Sequence, residues 1–152
     1  MIEFIKPNLS HIKAMQNLVE DEVANGIILP RSDDEVATNI RSYLIGVENG
    51  EVIAYAALHI HSPNLAEIRS IVVSKNHRGK GIGSKIVENL LKEASNLQIK
   101  KVFTLTFRQS FFENLGFIVI PKTQLPEQKI WADCVKCKHF PICNEIALIY
   151  KV

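Results

Sequence analysis

The stretch Asn76–Lys85, "NHRGKGIGSK", crowds three glycines and four basic side chains into ten residues. Before it runs the apolar end of "AEIRSIVV". After it Ile82, Ile86, Val87, Leu90 and Leu91 recur at helical spacing to about Ser95. A strand that enters a glycine-rich turn and leaves it as a helix points the helix's first, unpaired N–H groups at the turn, where the helix dipole is also positive. Gly79, Gly81 and Gly83 take away the Cβ atoms that would hold a phosphate off the backbone. Arg78, Lys80 and Lys85 add charge, and no acid occurs from Ile68 to Val87. The alternative is a glycine-rich turn with solvated lysines, but strand, loop and helix agree in register, so an anion site is expected. Two familiar phosphate loops do not fit. G-x-G-x-x-G belongs after an early strand, whereas G-x-G-x-G stands here after the fourth; Gly83-Ser84-Lys85 lacks the residue order of a nucleoside-triphosphate loop.

Outward from the loop, elements alternate. "IEFIKP" reads as a first strand and "IKAMQNLVEDEVAN" as one helix stopped near Gly26, with Ile12, Met15, Leu18, Val19 and Val23 on its apolar face. Ser32 followed by Glu35 forms a capping box that opens a second helix to about Tyr43. In "YLIGVENGEVIAYAALHIH" two β-rich runs flank Asn49-Gly50, a dipeptide suited to the positive φ angles of a tight hairpin. "AEIRSIVV", "KKVFTLTF", "FIVI" and "NEIALIYKV" read as further strands, with "QSFFENL" a short helix closed by Gly116. Hairpins first and βαβ order later predict one α/β domain over 1–152: a mixed sheet of about seven strands with helices on both faces.

Composition agrees. With 47% hydrophobic and 22% charged residues the chain suits a single packed core, and a net charge of +2 gives no argument for nucleic acid. Met1–Pro7 lacks the shape of a secretory signal and no run is long and apolar enough for a membrane span, so a cytoplasmic protein with no membrane partner is expected. Three cysteines are an odd count for a disulfide framework.

The segment Arg78-Gly79-Lys80-Gly81-Ile82-Gly83 fits the pattern [QR]-x-x-G-x-[GA]. With the helix pair, the "NG" hairpin, the "AEIRSIVV" strand and the late "FFENLGF" segment, the chain resembles the GNAT family of acetyl-CoA-dependent N-acetyltransferases over nearly its whole length. The resemblance implies a fold in which the strand before the loop bulges and splays from its neighbour. It implies that Ile71, Val72 and Val73 meet the pantetheine arm, and that Arg78 through Ser84 (Arg78, Gly79, Lys80, Gly81, Ile82, Gly83, Ser84) hold the diphosphate. Members are often dimers, so a homodimer is a further expectation.

"ILPRS", "AALHIHSPNLAEIRSIVV" and "KKVFTLTFRQSFFENLGF" together resemble the acetyltransferase domain of bacterial N-acetylglutamate synthases, especially the short forms without an amino-acid-kinase domain. That implies a small-molecule amine acceptor, glutamate, in the opening step of arginine synthesis. Its two carboxylates call for planar cationic forks, for which arginine suits better than lysine, and Arg31 and Arg108 are the candidates. A different amine, or a non-catalytic acyl-CoA-binding module, is the competing reading.

Acetyl transfer also needs a base, because an ammonium cannot attack a carbonyl. Glu67 is the candidate, on the strand before the loop among Leu65, Ala66 and Ile68, with His59 and His61 able to share the task. The Val72 N–H is the expected oxyanion donor. Where many family members carry a tyrosine that protonates the leaving thiolate, Phe112 stands here; either water or a nearby hydroxyl such as Ser110 serves, or the thiolate leaves unassisted.

The tail offers Cys134, Cys137, His139 and Cys143, a possible Cys3His zinc set. All four come from ten residues, whereas structural sites mostly use two separated pairs, so reduced thiols in a turn are expected and zinc is the alternative. No other metal is expected. Trp131 and Phe140 are expected to pack around this segment.

Overall fold

The structure, a computed structural model, describes residues 1–26, 30–125 and 145–152. A seven-stranded sheet runs in the order β1-β2-β3-β4-β5-β7-β6. Its strands are β1 (Ile2–Ile5), β2 (Tyr43–Glu48), β3 (Glu51–Ser62), β4 (Leu65–Val73), β5 (Lys101–Thr106), β6 (Ile118–Ile120) and β7 (Ile146–Lys151). Every neighbouring pair is antiparallel except β4–β5, the parallel pair that the helix after the glycine loop connects. The β2–β3 hairpin turns on Asn49 (φ 53°) and Gly50 (φ 79°), the two positive φ angles that the dipeptide tolerates.

Helices cover both faces. On one, α1 (Ile12–Leu18), α2 (Glu20–Ala24) and α3 (Asp33–Thr38) bury Met15, Val19 and Val36 against Tyr43, Ile45, Tyr55, Ala57 and Val72. On the other, α4 (Ile82–Asn96) lays Ile82, Ile86, Val87, Leu90 and Ala94 over Ala54, Ala56, Leu58, Ala66 and Ile68, with Phe112 of α5 (Gln109–Asn114) and Phe117 completing that core.

The long first helix is in fact two. At Val19 the backbone turns to φ −105°, ψ 3°. Val19 is buried, and a β-branched side chain is a poor helix former, while Glu20, Asp21 and Glu22 favour a fresh helix start through the dipole. The second helix also stops early. Its capping box forms as expected, Ser32 Oγ accepting from the Glu35 N–H at 3.1 Å and Glu35 Oε1 from the Ser32 N–H at 3.3 Å. At the other end the Glu35 carbonyl accepts from both the Asn39 backbone N–H at 3.2 Å and Asn39 Nδ2 at 2.9 Å, which closes the last turn, and a 3-10 turn (Ile40–Ser42) leads into β2.

Two irregularities of β4 open the sheet. Tyr55 faces Val72 and Ala57 faces Arg69, so Ser70 and Ile71 both lie opposite Ala56, a bulge carried by Ser70 at φ 58°. Beyond it β4 and β5 part. They pair only through Leu65–Glu67 against Lys101–Phe103, and at the parting Thr104 Oγ1 donates to the Ile68 carbonyl at 2.9 Å. The result is a fork whose closed end is Glu67 and whose arms are Ile68–Val73 and Thr104–Thr106.

Candidate active site

The open end of the fork meets the glycine loop. Gly79 (φ 79°) and Gly81 (φ 77°) adopt the left-handed conformation that disfavours other residues, and no atom lies within 4 Å of where a Cβ would sit on either. Gly81 is the N-cap of α4, whose first turn holds no acid; the helix's first hydrogen bond runs from the Lys85 N–H to the Gly81 carbonyl at 3.1 Å, so the amides of Ile82, Gly83 and Ser84 lack intrahelical partners. A cleft of about 730 Å³ opens here. Ile71, Val72 and Val73 form its strand wall, and Arg78, Gly79, Gly81, Ile82, Gly83 and Ser84 its loop wall. Arg108 lies across it, while Lys80 is exposed outside the lining.

Arg78 does not simply offer its charge to the cleft. Its Nε donates to the Val73 carbonyl at 3.1 Å and its Nη2 to Glu22 Oε1 at 2.7 Å, so it braces the loop against β4 and α2. Lys75 Nζ reaches Asp21 Oδ2 at 3.4 Å on the surface beside it. Asp21 and Glu22 thus belong to the cleft wall, a contribution no local pattern signals, because the paired residues are more than fifty positions apart. Phe111 is the other unforeseen wall: a Cβ on Gly83 would come within 3.3 Å of its ring, and the Arg108 guanidinium lies 4.6 Å from the ring centroid. The "FF" pair divides its work, one ring lining the cleft and the other, Phe112, fully buried against Phe111 and Phe117. Phe112 therefore faces the core, whereas Ser110 is exposed on α5.

Val72 needs correction as a donor. The Ser74 N–H bonds to the Ile53 carbonyl at 2.7 Å, and antiparallel alternation from that pair turns Val72 toward Tyr55 on β3 while Ile71 and Val73 turn toward the fork. The Val73 carbonyl, taken by Arg78 on the loop side, agrees with that parity.

Arg31 and Arg108 do not share a cavity. Arg31 lines a small one with Tyr43, Tyr55 and Ser70 on the α1–α3 face, near Glu35 (3.9 Å). Burial pushes the Tyr43 and Tyr55 phenols up, against a smaller opposing pull from Arg31, so both stay neutral. Farther along the same face Arg69 Nη2 donates to His59 Nδ1 at 3.2 Å, and His61 Nε2 lies 3.0 Å from Glu67 Oε1. Glu67 is only 1% exposed, at the closed end of the fork. The cysteine and histidine cluster, with Trp131 and Phe140, lies outside the described residues; among those described, no group of three or more metal-ligating side chains occurs.

Residues 13–117, which hold the bulge, the fork, the loop and α5, match the Acetyltransferase (GNAT) family. The chain belongs to that family. It is therefore an acyltransferase fold of the class that takes acetyl-coenzyme A as donor, and the GNAT chain has relatives of several lengths. An uncharacterised N-acetyltransferase of Chlorobaculum tepidum is 36% identical over 141 residues, covering 93% of this chain and 90% of the relative. An amino-acid acetyltransferase of Mycobacterium tuberculosis is 34% identical over 117 residues, 75% of this chain and 67% of the relative. One from Actinobacillus pleuropneumoniae is 32% identical over 78% of this chain, which spans only 28% of that longer protein. Among solved structures, the N-acetylglutamate synthase of Neisseria gonorrhoeae, complexed with coenzyme A and N-acetyl-glutamate, superposes with a TM-score of 0.89 at 20% identity, over 99% of this chain and 35% of the synthase. That likeness concerns the GNAT fold. No described helix is long and apolar enough to cross a membrane.

Proposed function

We propose that this GNAT protein transfers the acetyl group of acetyl-coenzyme A to the α-amine of an amino acid, L-glutamate, by direct attack in a ternary complex. The observation that carries the reading is the fork between β4 and β5 opening onto the α4 amides, because it offers one continuous track for a diphosphate followed by an amide-bearing arm. The amides of Ile82, Gly83 and Ser84, with Lys80 and Lys85 nearby, hold the diphosphate. The arm pairs with the fork-facing backbone of Val73 and Ile71. The thioester then arrives near the Ser70 bulge, and an N–H of Ile71 or Val73 meets the developing oxyanion.

The acceptor enters from the α1–α3 face. Arg31 receives one carboxylate beside Tyr43 and Tyr55, and Arg108 at the cleft rim is the second candidate. The paired Glu67 and His61 supply the basicity that frees the amine. The amino-acid acetyltransferases among the relatives support an amino acid as acceptor; glutamate, with arginine synthesis as its setting, is the reading drawn from the resemblance to the N-acetylglutamate synthases.

Thiol release from acetyl-coenzyme A, measured against a panel of amino acids and polyamines, tests the reading. Glutamate is expected to give the fastest release; release no faster than the blank for every amine would defeat the proposal. Arg31→Ala is expected to raise the KM for glutamate at least ~10-fold while leaving the KM for acetyl-coenzyme A unchanged. Unchanged glutamate kinetics in that variant would remove Arg31 from the acceptor site.

A further inference from the structure

We infer that His61, not Glu67 itself, takes the proton from the acceptor amine, and that Glu67 is the buried carboxylate which orients His61 for that step; this rests on the acetyl-transfer reading above. Glu67 is 1% exposed and its Oε1 lies 3.0 Å from His61 Nε2. A carboxylate so enclosed cannot meet an ammonium without displacing the ring in front of it. His61 is the more open of the two, with 8% of its side chain exposed.

The ring's neighbours fix its orientation. His59 meets it edge-on at 4.7 Å between centroids, and Phe103 of β5 lies 5.4 Å away. Across the strands, His59 stands opposite Glu67 and Ala57 opposite Arg69, so these side chains share one sheet face, and His61, at the register shift between Ile60 and Ser62, meets the same face through its 3.0 Å contact with Glu67. Among the described residues, the titratable and charged groups beside His61 are His59 on its own strand and Glu67 and Arg69 on β4, while β5 presents Phe103.

Hydrogen-bond chemistry assigns the proton. Arginine only donates, so Arg69 Nη2 makes His59 Nδ1 an acceptor. When Glu67 is ionised it only accepts, so a neutral His61 paired with it carries its proton on Nε2 and keeps a lone pair on Nδ1. Nδ1 makes no hydrogen bond to any described residue. It is the basic atom at the closed end of the fork.

The step balances without a further reagent. The acceptor ammonium gives one proton to Nδ1, and the freed pair on nitrogen forms the C–N bond to the thioester carbon. The C–S bond then breaks with its pair on sulfur. The second amine proton neutralises the thiolate through water, and the imidazolium returns its proton to solvent.

The test is the pH profile of glutamate-dependent thiol release in the whole chain. His61→Gln is expected to lower kcat at least ~100-fold, abolish the acidic limb of the wild-type profile and leave the KM for acetyl-coenzyme A unchanged. Imidazole added to His61→Gly is expected to restore turnover, an effect a merely structural histidine would not give. Glu67→Gln is expected to lower kcat at least ~10-fold while keeping the acidic limb. A His61→Gln protein within about threefold of wild type, or one whose residual activity keeps the acidic limb and whose glycine counterpart ignores imidazole, overturns the assignment. If the variants do not fold, histidine 15N spectra of the wild type decide instead: a proton on Nε2 of neutral His61 supports the assignment and one on Nδ1 overturns it. Wild-type protein that acetylates no amine defeats acetyl transfer as a whole, whereas an active wild type with an indifferent His61 defeats this inference alone.

Discussion

Phe112 shows how much a single position can change meaning between sequence and structure. The resemblance of "FFENLGF" to the family implies a tyrosine's place near the leaving thiolate, yet the Phe112 ring is fully buried among Phe111 and Phe117. Phe112→Tyr is therefore expected to cost about 1–3 kcal/mol in urea unfolding, through a buried hydroxyl without a partner, and to leave kcat no higher than wild type. A stable variant with raised kcat would show that position 112 reaches the thiolate. The glycines of the loop are legible in the sequence because positive φ and close anion approach both demand them. Arg78 is half legible: its place in the motif is plain, but its brace to Glu22 depends on a fold that brings distant residues together. The His61–Glu67 pair is hidden for a similar reason, since the two meet only through the β3–β4 register and its shift between Ile60 and Ser62.

Among elements, β4 decides the site. Its bulge and its parting from β5 have no signature in "AEIRSIVV" beyond family resemblance, because a strand's pairing partner is chosen by the sheet and not by its own residues. Thr104, buried at 3% exposure, marks where the fork begins, its hydroxyl donating to the Ile68 carbonyl. Thr104→Val should leave that carbonyl unpartnered, at a cost of about 1–3 kcal/mol in urea unfolding, with a fall in kcat/KM for acetyl-coenzyme A. Wild-type stability and kinetics in the valine variant would mean the fork is held elsewhere. The end of β2 carries a pH-sensitive link to the loop. His77 Nε2 lies 2.9 Å from Glu48 Oε1, and this hydrogen bond, with the charge of His77 and Lys80 adding to it, holds the Glu48 carboxyl below its usual range. A carboxyl with a depressed folded pKa lends stability above its unfolded pKa and loses it as pH falls through the folded value. Wild-type thermal midpoints should therefore drop more steeply than those of Glu48→Gln as pH falls from about 5 to about 3. Parallel curves would remove Glu48 from the acid response. Helix boundaries are the least legible feature: hydrophobic spacing runs unbroken through Val19, and only the backbone turn there separates α1 from α2.

For the molecule as a whole, the two apolar cores on opposite faces of one sheet follow from periodicity, and they leave the fork as the place where the sheet itself is incomplete. The cleft, the cavity lined by Arg31 and Ser70, and the His61–Glu67 pair all border that gap. On the proposed reading, donor binding depends on one grip, that of the α4 amides on the diphosphate of coenzyme A. Amide chemical-shift mapping during a titration with coenzyme A tests that grip. The largest shifts are expected at Gly79, Gly81, Ile82, Gly83 and Ser84, with a second set at Ile71 and Val73; saturable binding that moves other amides and leaves these in place would contradict it.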